Sequence, residues 1–351
     1  LKVSGKISEE DFYFMRDSMA ILEAVNLKES RVVDVELRKG SYDNVYYNDN
    51  LTLPGHNDEY GNSTVFIRRE LGTYDDIIPD KAFENKKSLY YFAFPEKITQ
   101  IGRSAFNGSS ISGALVSPDD VKDIWNDAFR STNISSLVLA PGVEIIGNSV
   151  FSNCSSLSGT LTLPEVLRYI GDSAFQDCGF SGNLVLPNSL EYIGFSAFQE
   201  AGTFVGGLTI PEKIPVLYYN TFLSNYKRKF TGTLNLSNVQ ILENECFLNC
   251  GFTGELIIPE GVTEIGNQAF NYNGAGKISS VILPSTIKVI GEAAFRGHSR
   301  LTDIIIPEGL VSIKMRAFEG CSNLTSIVFP SALQTIQSRA FDNCYGISSI
   351  I

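Results

Sequence analysis

Leu157 to Cys178 reads LSGTLTLPEVLRYIGDSAFQDC, and this stretch decides the fold. Leu161 and Leu163 alternate with Thr162, so an extended backbone puts both leucines on one side and the threonine on the other. Pro164 follows; lacking an N–H for a sheet ladder, it ends the strand and turns the chain. A second apolar pair, Tyr169-Ile170, precedes Gly171, and Ala174-Phe175 closes the unit. The pair suits another short inward-facing side, the glycine a tight bend, and the phenylalanine a large apolar plug.

The same order returns in Ile278 to Phe295, ISSVILPSTIKVIGEAAF, and in Leu324 to Cys344, LTSIVFPSALQTIQSRAFDNC. The closing phenylalanine recurs as Phe83, Phe106, Phe129, Phe151, Phe175, Phe198, Phe222, Phe247, Phe270, Phe295, Phe318 and Phe341, at intervals of 22 to 25 residues. Such a period predicts a solenoid of stacked rungs rather than a globule. Gly102, Gly147, Gly171, Gly194, Gly266 and Gly291 mark the expected bend; Trp125, Tyr218 and Glu243 replace it, and Ser237 stands where a strand-ending proline is usual, so those rungs are expected to bend less regularly.

Composition narrows the function. A chain of 351 residues, 43% hydrophobic and 19% charged, can bury a core without a metal or disulfide. Its formal charge of -11 and the lack of a long basic stripe argue against nucleic acid as partner. No run of about twenty apolar residues would span a bilayer. A start at Leu1 without a signal-like run fits a processed secreted protein or a trimmed chain.

Five of six cysteines, Cys154, Cys178, Cys250, Cys321 and Cys344, fall three residues after the phenylalanine, and Cys246 replaces the alanine beside Phe247. Small inward side chains at a rung corner account for them, which predicts mostly free, buried thiols. Disulfides between successive rungs, Cys154 to Cys178 and Cys321 to Cys344, are the alternative.

Residues 1–80 are less regular and read as an amino-terminal helical cap followed by an irregular polar insertion; 81–351 form the repeat solenoid. Ser8-Glu9-Glu10-Asp11 predicts a helix start, with Phe12, Met15, Met19 and Leu22 on its apolar face. Val25 and Leu27 look like a first inward ladder. The Asn-, Asp- and Tyr-rich run from Ser41 to Tyr74 suits a long loop or irregular hairpin.

The motifs IGDSAF at Ile170 to Phe175, IGNQAF at Ile265 to Phe270 and IGEAAF at Ile290 to Phe295, each after a strand ending in proline, resemble the BspA-like leucine-rich repeat family of bacterial secreted or surface proteins. The opening LKVSGKISEEDF is similar to the amino-terminal cap of related Bacteroides-type surface proteins. The resemblance implies a leucine-rich repeat solenoid: a right-handed coil of about twelve rungs of 22–25 residues, with a parallel sheet on one side and an amino-terminal cap. It also implies a secreted or surface-attached protein of adhesion or host and matrix binding, and it carries over no catalytic residue.

Stacking in parallel would set Val116, Val138, Thr162, Val185, Thr209, Asn235, Ile257, Ile282, Ile305 and Val328 in one solvent-facing ladder, a candidate partner-binding surface about 55 Å long. The strand preference of β-branched residues explains the same pattern without a ligand. Tyr46 and Tyr47, with Tyr42, Tyr60 and Tyr74, are candidate aromatic contacts, or else pin the insertion to the cap. Tyr226-Lys227-Arg228-Lys229 is a compact basic cluster suited to an anion or to a solvated turn.

No catalytic, metal or cofactor site is expected. His56 and His298 have no metal-ligand spacing, and no nucleophile elbow supports a triad. Asp43, Asn44, Asn48, Asp49, Asn50, Asn57, Asp58 and Glu59 offer hard oxygens without the order of a calcium loop. The resulting expectation is a non-enzymatic extracellular binding or adhesion protein recognising a host or matrix protein, or a surface glycan. A structural spacer or display module of the bacterial envelope is the alternative, with a glycan-processing enzyme third. It would lie outside the cell or on its outer surface, where a lipid anchor on a preceding segment is one route of attachment.

Overall fold

The computed structural model describes residues 1–32, 35–36, 73–74, 76–225, 227 and 229–350. Tyr42, Tyr46, Tyr47, Tyr60, His56, Tyr226, Arg228 and the acidic and amide residues 43–59 lie outside the described residues, as does the Tyr74 side chain.

Each regular rung contributes two parallel stretches. The first is the alternating strand: Ser112–Val116 pairs with Asn133–Val138, and Gly251–Ile257, Lys277–Ile282 and Asp303–Ile305 follow one another in one sheet. Alternation sorts the side chains as expected, with Leu161, Leu163, Leu184, Leu186, Ile304 and Ile306 buried and Thr162, Val185 and Ile305 exposed. The second stretch is only two residues long. Ile77–Ile78, Gln100–Ile101, Asp123–Ile124, Ile145–Ile146, Tyr169–Ile170 and Tyr192–Ile193 form one six-stranded parallel ladder, and Val216–Leu217 through Thr335–Ile336 form another.

The pair in each second stretch does not face inward as a whole. Ile170 and Ile290 enter the core, whereas their partners Tyr169 and Val289 lie on the opposite side of the strand. Tyr169 is nonetheless covered, because it stacks on Tyr192 at 4.7 Å, and Tyr192 in turn packs on Tyr218 at 5.6 Å.

Pro215 divides the two ladders. In the rung before it, Glu191 N–H and Tyr192 N–H donate to Arg168 O; the residue in the Glu191 place of the next rung is Pro215, which has no N–H to give. Its carbonyl still accepts from Gln240 and Ile241, so pairing resumes on the far side. The interruption thus comes from a proline inside the ladder. Trp125 and Glu243, where irregular bends were expected, follow strands that remain paired on both sides.

The third side of the rung is the Ala-Phe turn. Its twelve phenylalanines form one column with neighbouring ring centroids 5.2 to 5.7 Å apart and planes within 19° of parallel. All but the half-buried Phe341 are enclosed. Here alternate N–H groups have different jobs. Phe106 N–H bonds Ala128 O of the next rung, while Asn107 N–H closes a turn on Ser104 O of its own rung.

That alternation requires left-handed backbone two residues before every phenylalanine. Lys81, Ser104, Asp127, Ser149, Ser173, Ser196, Asn220, Glu245, Gln268, Ala293, Arg316 and Arg339 all have φ between 51° and 59°. None is glycine, although each such residue carries a local cost of about 1–2 kcal/mol. The paired N–H groups of twelve stacked turns hold them there.

The glycines do something else. Gly171 and Gly291 have no positive φ; a Cβ on either would lie 2.5 Å from backbone of the preceding rung, Asn148 N or Ile265 O. They are selected for close approach between rungs, which corrects the reading of them as bend residues. Immediately after this position runs a polar ladder: Asn126 Oδ1 accepts from Asn148 N–H at 2.9 Å, Asn148 Oδ1 from Asp172 N–H at 3.0 Å, and Asp172 Oδ1 from Phe195 N–H at 2.9 Å. Where glycine is replaced, the substitute can reach back for the same row of donors, as Glu243 does for Tyr219 N–H and Gln337 for Met315 N–H.

Before the rungs, strand β1 (Lys2–Ile7), helix α1 (Glu9–Ser18) and strand β2 (Ala24–Val32) form a parallel β–α–β unit, and β2 pairs with Tyr91–Ala93. Helix α1 begins in the capping box read from Ser8 and Asp11. Phe12, Met15, Leu22, Val25 and Leu27 are buried, and the Phe12 ring meets Phe83 edge-on at 5.9 Å.

Candidate partner-binding face

All ten residues expected in the solvent-facing ladder are exposed. Register places Val116 beside Val138, Thr209 beside Asn235, and Ile257, Ile282 and Ile305 in three successive strands. Thr162, Val185 and Val328 hold the same place in their rungs, each next to a buried Leu or Ile. Ile305 is 75% exposed, more than any other apolar member. The apolar character is interrupted at Thr162 and again at Thr209 and Asn235, which leaves Ile257, Ile282, Ile305 and Val328 as an unbroken stretch across four rungs. Exposed apolar side chains in such a row form a patch that a partner can bury with gain.

Two residues earlier in each strand runs a second, more polar row. Ala114 pairs with Ser136, Glu255 with Ser280, and Ser280 with Asp303. Tyr91, exposed at the start of this row, pairs with Ala24 of β2.

Thiols of the solenoid and His298 engage backbone carbonyls of the preceding rung. Six cysteines are free. In the phase three residues after the phenylalanine, Cys154 Sγ–H donates to Phe129 O at 3.0 Å, Cys178 to Phe151 O at 3.2 Å, Cys250 to Phe222 O at 3.1 Å and Cys344 to Phe318 O at 3.1 Å. Each thiol thus satisfies the carbonyl of the preceding rung. Burial pushes the Cys250 thiol up to about 12 and that of Cys344 to about 11, so both stay protonated and poorly nucleophilic at neutral pH.

His298 stands in the same phase. Its Nε2 lies 2.7 Å from Phe270 O, and burial lowers its pKa to about 4, so it is a neutral imidazole doing the work of a cysteine. No cluster of three or more His, Cys, Asp or Glu fit to hold a metal occurs among the described residues. Nor, among them, is any helix long and apolar enough to cross a membrane.

A shallow notch of about 340 Å³ lies on the Ala-Phe side, where Gly297 and Gly320 in adjacent rungs leave room between Tyr272 and Asn343. The Arg296–Glu319 ion pair, 3.2 Å, crosses it.

Sequence reasoning found the exposed ladder because a period of two is visible in single strands. It missed the polar N–H ladder, although the recurring Gly-Asn and Gly-Asp of IGNSV, IGDSAF and IGNQAF were its signal.

The repeats match a known family model. The family model of the BspA type Leucine rich repeat region matches six copies, over residues 76–204, 169–302 and 223–348. Among solved structures, the chain is similar to a leucine-rich repeat protein from Bacteroides ovatus at 23% identity, covering 81% of this chain and 78% of that one, with a TM-score of 0.45. A leucine rich cell surface protein from Faecalibacterium prausnitzii is 22% identical over 80% of this chain and 79% of that one, with a TM-score of 0.42. The pneumococcal vaccine antigen PcpA is 17% identical over 75% and 62%, with a TM-score of 0.43. No curated protein matches the chain. Repeat matches that together run from residue 76 to residue 348, on a solenoid whose rungs each place a phenylalanine in one shared column, settle its membership: the chain belongs to the BspA type leucine rich repeat family.

Proposed function

We propose that this protein is a non-enzymatic extracellular or outer-surface binder whose strand face recognises a protein or surface glycan. The observation that carries the reading is the exposed ladder from Val116 to Val328, set on strands and extended segments whose alternate residues are locked into the Phe-filled core. A rigid backbone lets a partner bury this row without first ordering it, which lowers the entropic cost of association. The β1–α1–β2 unit serves in this reading as the cap of the first rung, where apolar surface and an open sheet edge would otherwise meet water.

The test is a protein and glycan array probed with the wild-type chain and with the Ile282→Ser, Ile305→Ser double variant. Saturable wild-type binding that the variant loses, while its circular dichroism and melting are unchanged, supports the reading. Equal binding by the variant removes the strand face from the function.

A further inference from the structure

From Asp119 onward, the second residue of the turn after each outer segment of the rung repeats with twice the period of the rungs; Glu96, one rung earlier, is also acidic and lies outside this alternation. In succession it is Asp119, Pro141, Glu165, Asn188, Glu212, Ser237, Glu260, Ser285, Glu308 and Ser331. Each is the second residue of a turn closed by a backbone bond, such as Leu167 N–H to Pro164 O and Val262 N–H to Pro259 O. All five carboxylates are exposed, and none forms an ion pair among the described residues. Across the C-terminal rungs the other rim of the strand keeps the same rhythm, with Glu255, Ser280, Asp303 and Ser326 two residues before Ile257, Ile282, Ile305 and Val328.

The intervening serines hold the carboxylates in place. Ser285 donates to Glu260 through both its N–H and its hydroxyl at 3.0 Å, and Ser331 N–H donates to Glu308 at 3.3 Å. Adjacent strands lie about 4.8 Å apart, so the carboxylates of one rim recur about every 9.6 Å along the solenoid axis. Between the rims runs the unbroken apolar stretch Ile257, Ile282, Ile305 and Val328.

We propose that this face binds a cationic polypeptide segment in the polyproline-II conformation, with Lys or Arg at every third residue, lying along the solenoid axis. The proposal rests on the reading of the strand face as the binding surface and names its occupant. A polyproline-II helix has three residues per turn and rises about 3.1 Å per residue, so residues i and i+3 share one edge about 9.3 Å apart. That departs from the carboxylate spacing by about 0.3 Å per step.

Other conformations fit worse. In an extended strand, same-side residues recur about every 6.7 Å. In an α-helix the nearest same-face repeat, seven residues, is about 10.5 Å, which falls out of step by about 2.7 Å over three steps. With one basic edge against the acidic rim, a second, apolar edge of the polyproline-II helix rests on the isoleucine ladder. The acidic rims and the net charge of -11 select a cationic chain over an anionic one.

The experiment measures binding of two synthetic peptides of about eighteen residues and identical composition by fluorescence anisotropy at low and physiological salt. One repeats Lys-Pro-Pro; the other repeats Lys-Lys-Pro-Pro-Pro-Pro and breaks the spacing. The expected result is a preference of about tenfold for the first, the size that several weak exposed ion pairs give together. The Glu212→Gln, Glu260→Gln, Glu308→Gln variant should lose that preference. The Ser285→Glu, Ser331→Glu variant should bind both peptides more tightly yet no longer tell them apart.

Equal binding of both peptides by the wild type, or a preference that survives the Glu→Gln changes, overturns the proposal as nonspecific charge attraction. If neither peptide binds while the Ile282→Ser, Ile305→Ser variant still loses an array ligand, the occupant is wrong and the binding face stands. A preference untouched by those isoleucine changes places the peptide elsewhere and overturns both.

Discussion

Truncation of one ring in the phenylalanine column, Phe175→Ala, tests the architecture most directly. Phe175 is fully buried, stacked between Phe151 at 5.6 Å and Phe198 at 5.4 Å, with Phe180 edge-on at 6.0 Å. Removing the ring leaves a void of about 100 Å³ in a column whose backbone is held on both sides by rung-to-rung hydrogen bonds, so the site cannot close. At about 24 cal/mol per Å³ the void costs about 2.4 kcal/mol, and the lost transfer of ring atoms adds about 2 kcal/mol more. The expected loss is therefore about 4 kcal/mol, a large share of the stability of an ordinary domain.

The matched control is Phe341→Ala at the half-buried end of the column. There the ring has one stacking neighbour, Phe318 at 5.3 Å, and a tilted contact to Phe329 at 5.8 Å. With one stacked side and partial exposure, about half the cost is expected, about 2 kcal/mol. Urea unfolding of both variants, with amide exchange to locate the opened rungs, measures the difference. Exchange should rise first in the rungs on either side of Phe175, because each rung is stabilised only by its neighbours. Equal losses in the two variants, or a Phe175→Ala cost below about 1 kcal/mol, would refute the shared apolar column.

Other expectations follow from single buried groups. His298 has a folded pKa of about 4 against an ordinary value of 6.5, so the unfolded chain binds the extra proton. Stability should be fully present above pH about 6.5 and fall as pH drops towards 4, by about 3 kcal/mol in all; His298→Cys should flatten that part of the pH–stability curve. Thiol titration without reductant should find six free cysteines after unfolding, and none of the five fully buried ones should react in the native protein. Native disulfides would show as missing thiols. Gly291→Ala should cost about 1–3 kcal/mol by thermal melting despite an unremarkable φ, because the new Cβ would press on Ile265 O at 2.5 Å. An unchanged melting temperature would mean that the rungs have slack there.

How much was legible in the sequence can be judged residue by residue. The inward Leu161 and Leu163, the outward Thr162 and the buried Phe175 follow from local rules, since alternation and a large apolar plug act within one rung. The role of Gly171 does not, because its cause is Asn148 of the preceding rung. Left-handed backbone at Ser173 and its eleven counterparts was likewise hidden. Serine, lysine and arginine carry no preference for it, and only the hydrogen bonds of stacked turns impose it. The break at Pro215 was within reach, but it required knowing that the residue before Val216 must donate to the rung below. The alternating acidic rim was written in plain view as well. It acquires meaning only once residues some two dozen positions apart are known to be neighbours.

By itself the sequence determined the repeat length, which residues of each strand enter the core, and the phase shared by five of the six cysteines, because each depends on the chemistry of a few adjacent residues. The tertiary structure decided which backbone groups meet between rungs: why glycine stands at 171, why thiols point at phenylalanine carbonyls, and where the ladder is cut. Those choices belong to contacts between residues far apart in the chain, and a solenoid creates such contacts only when its rungs are stacked.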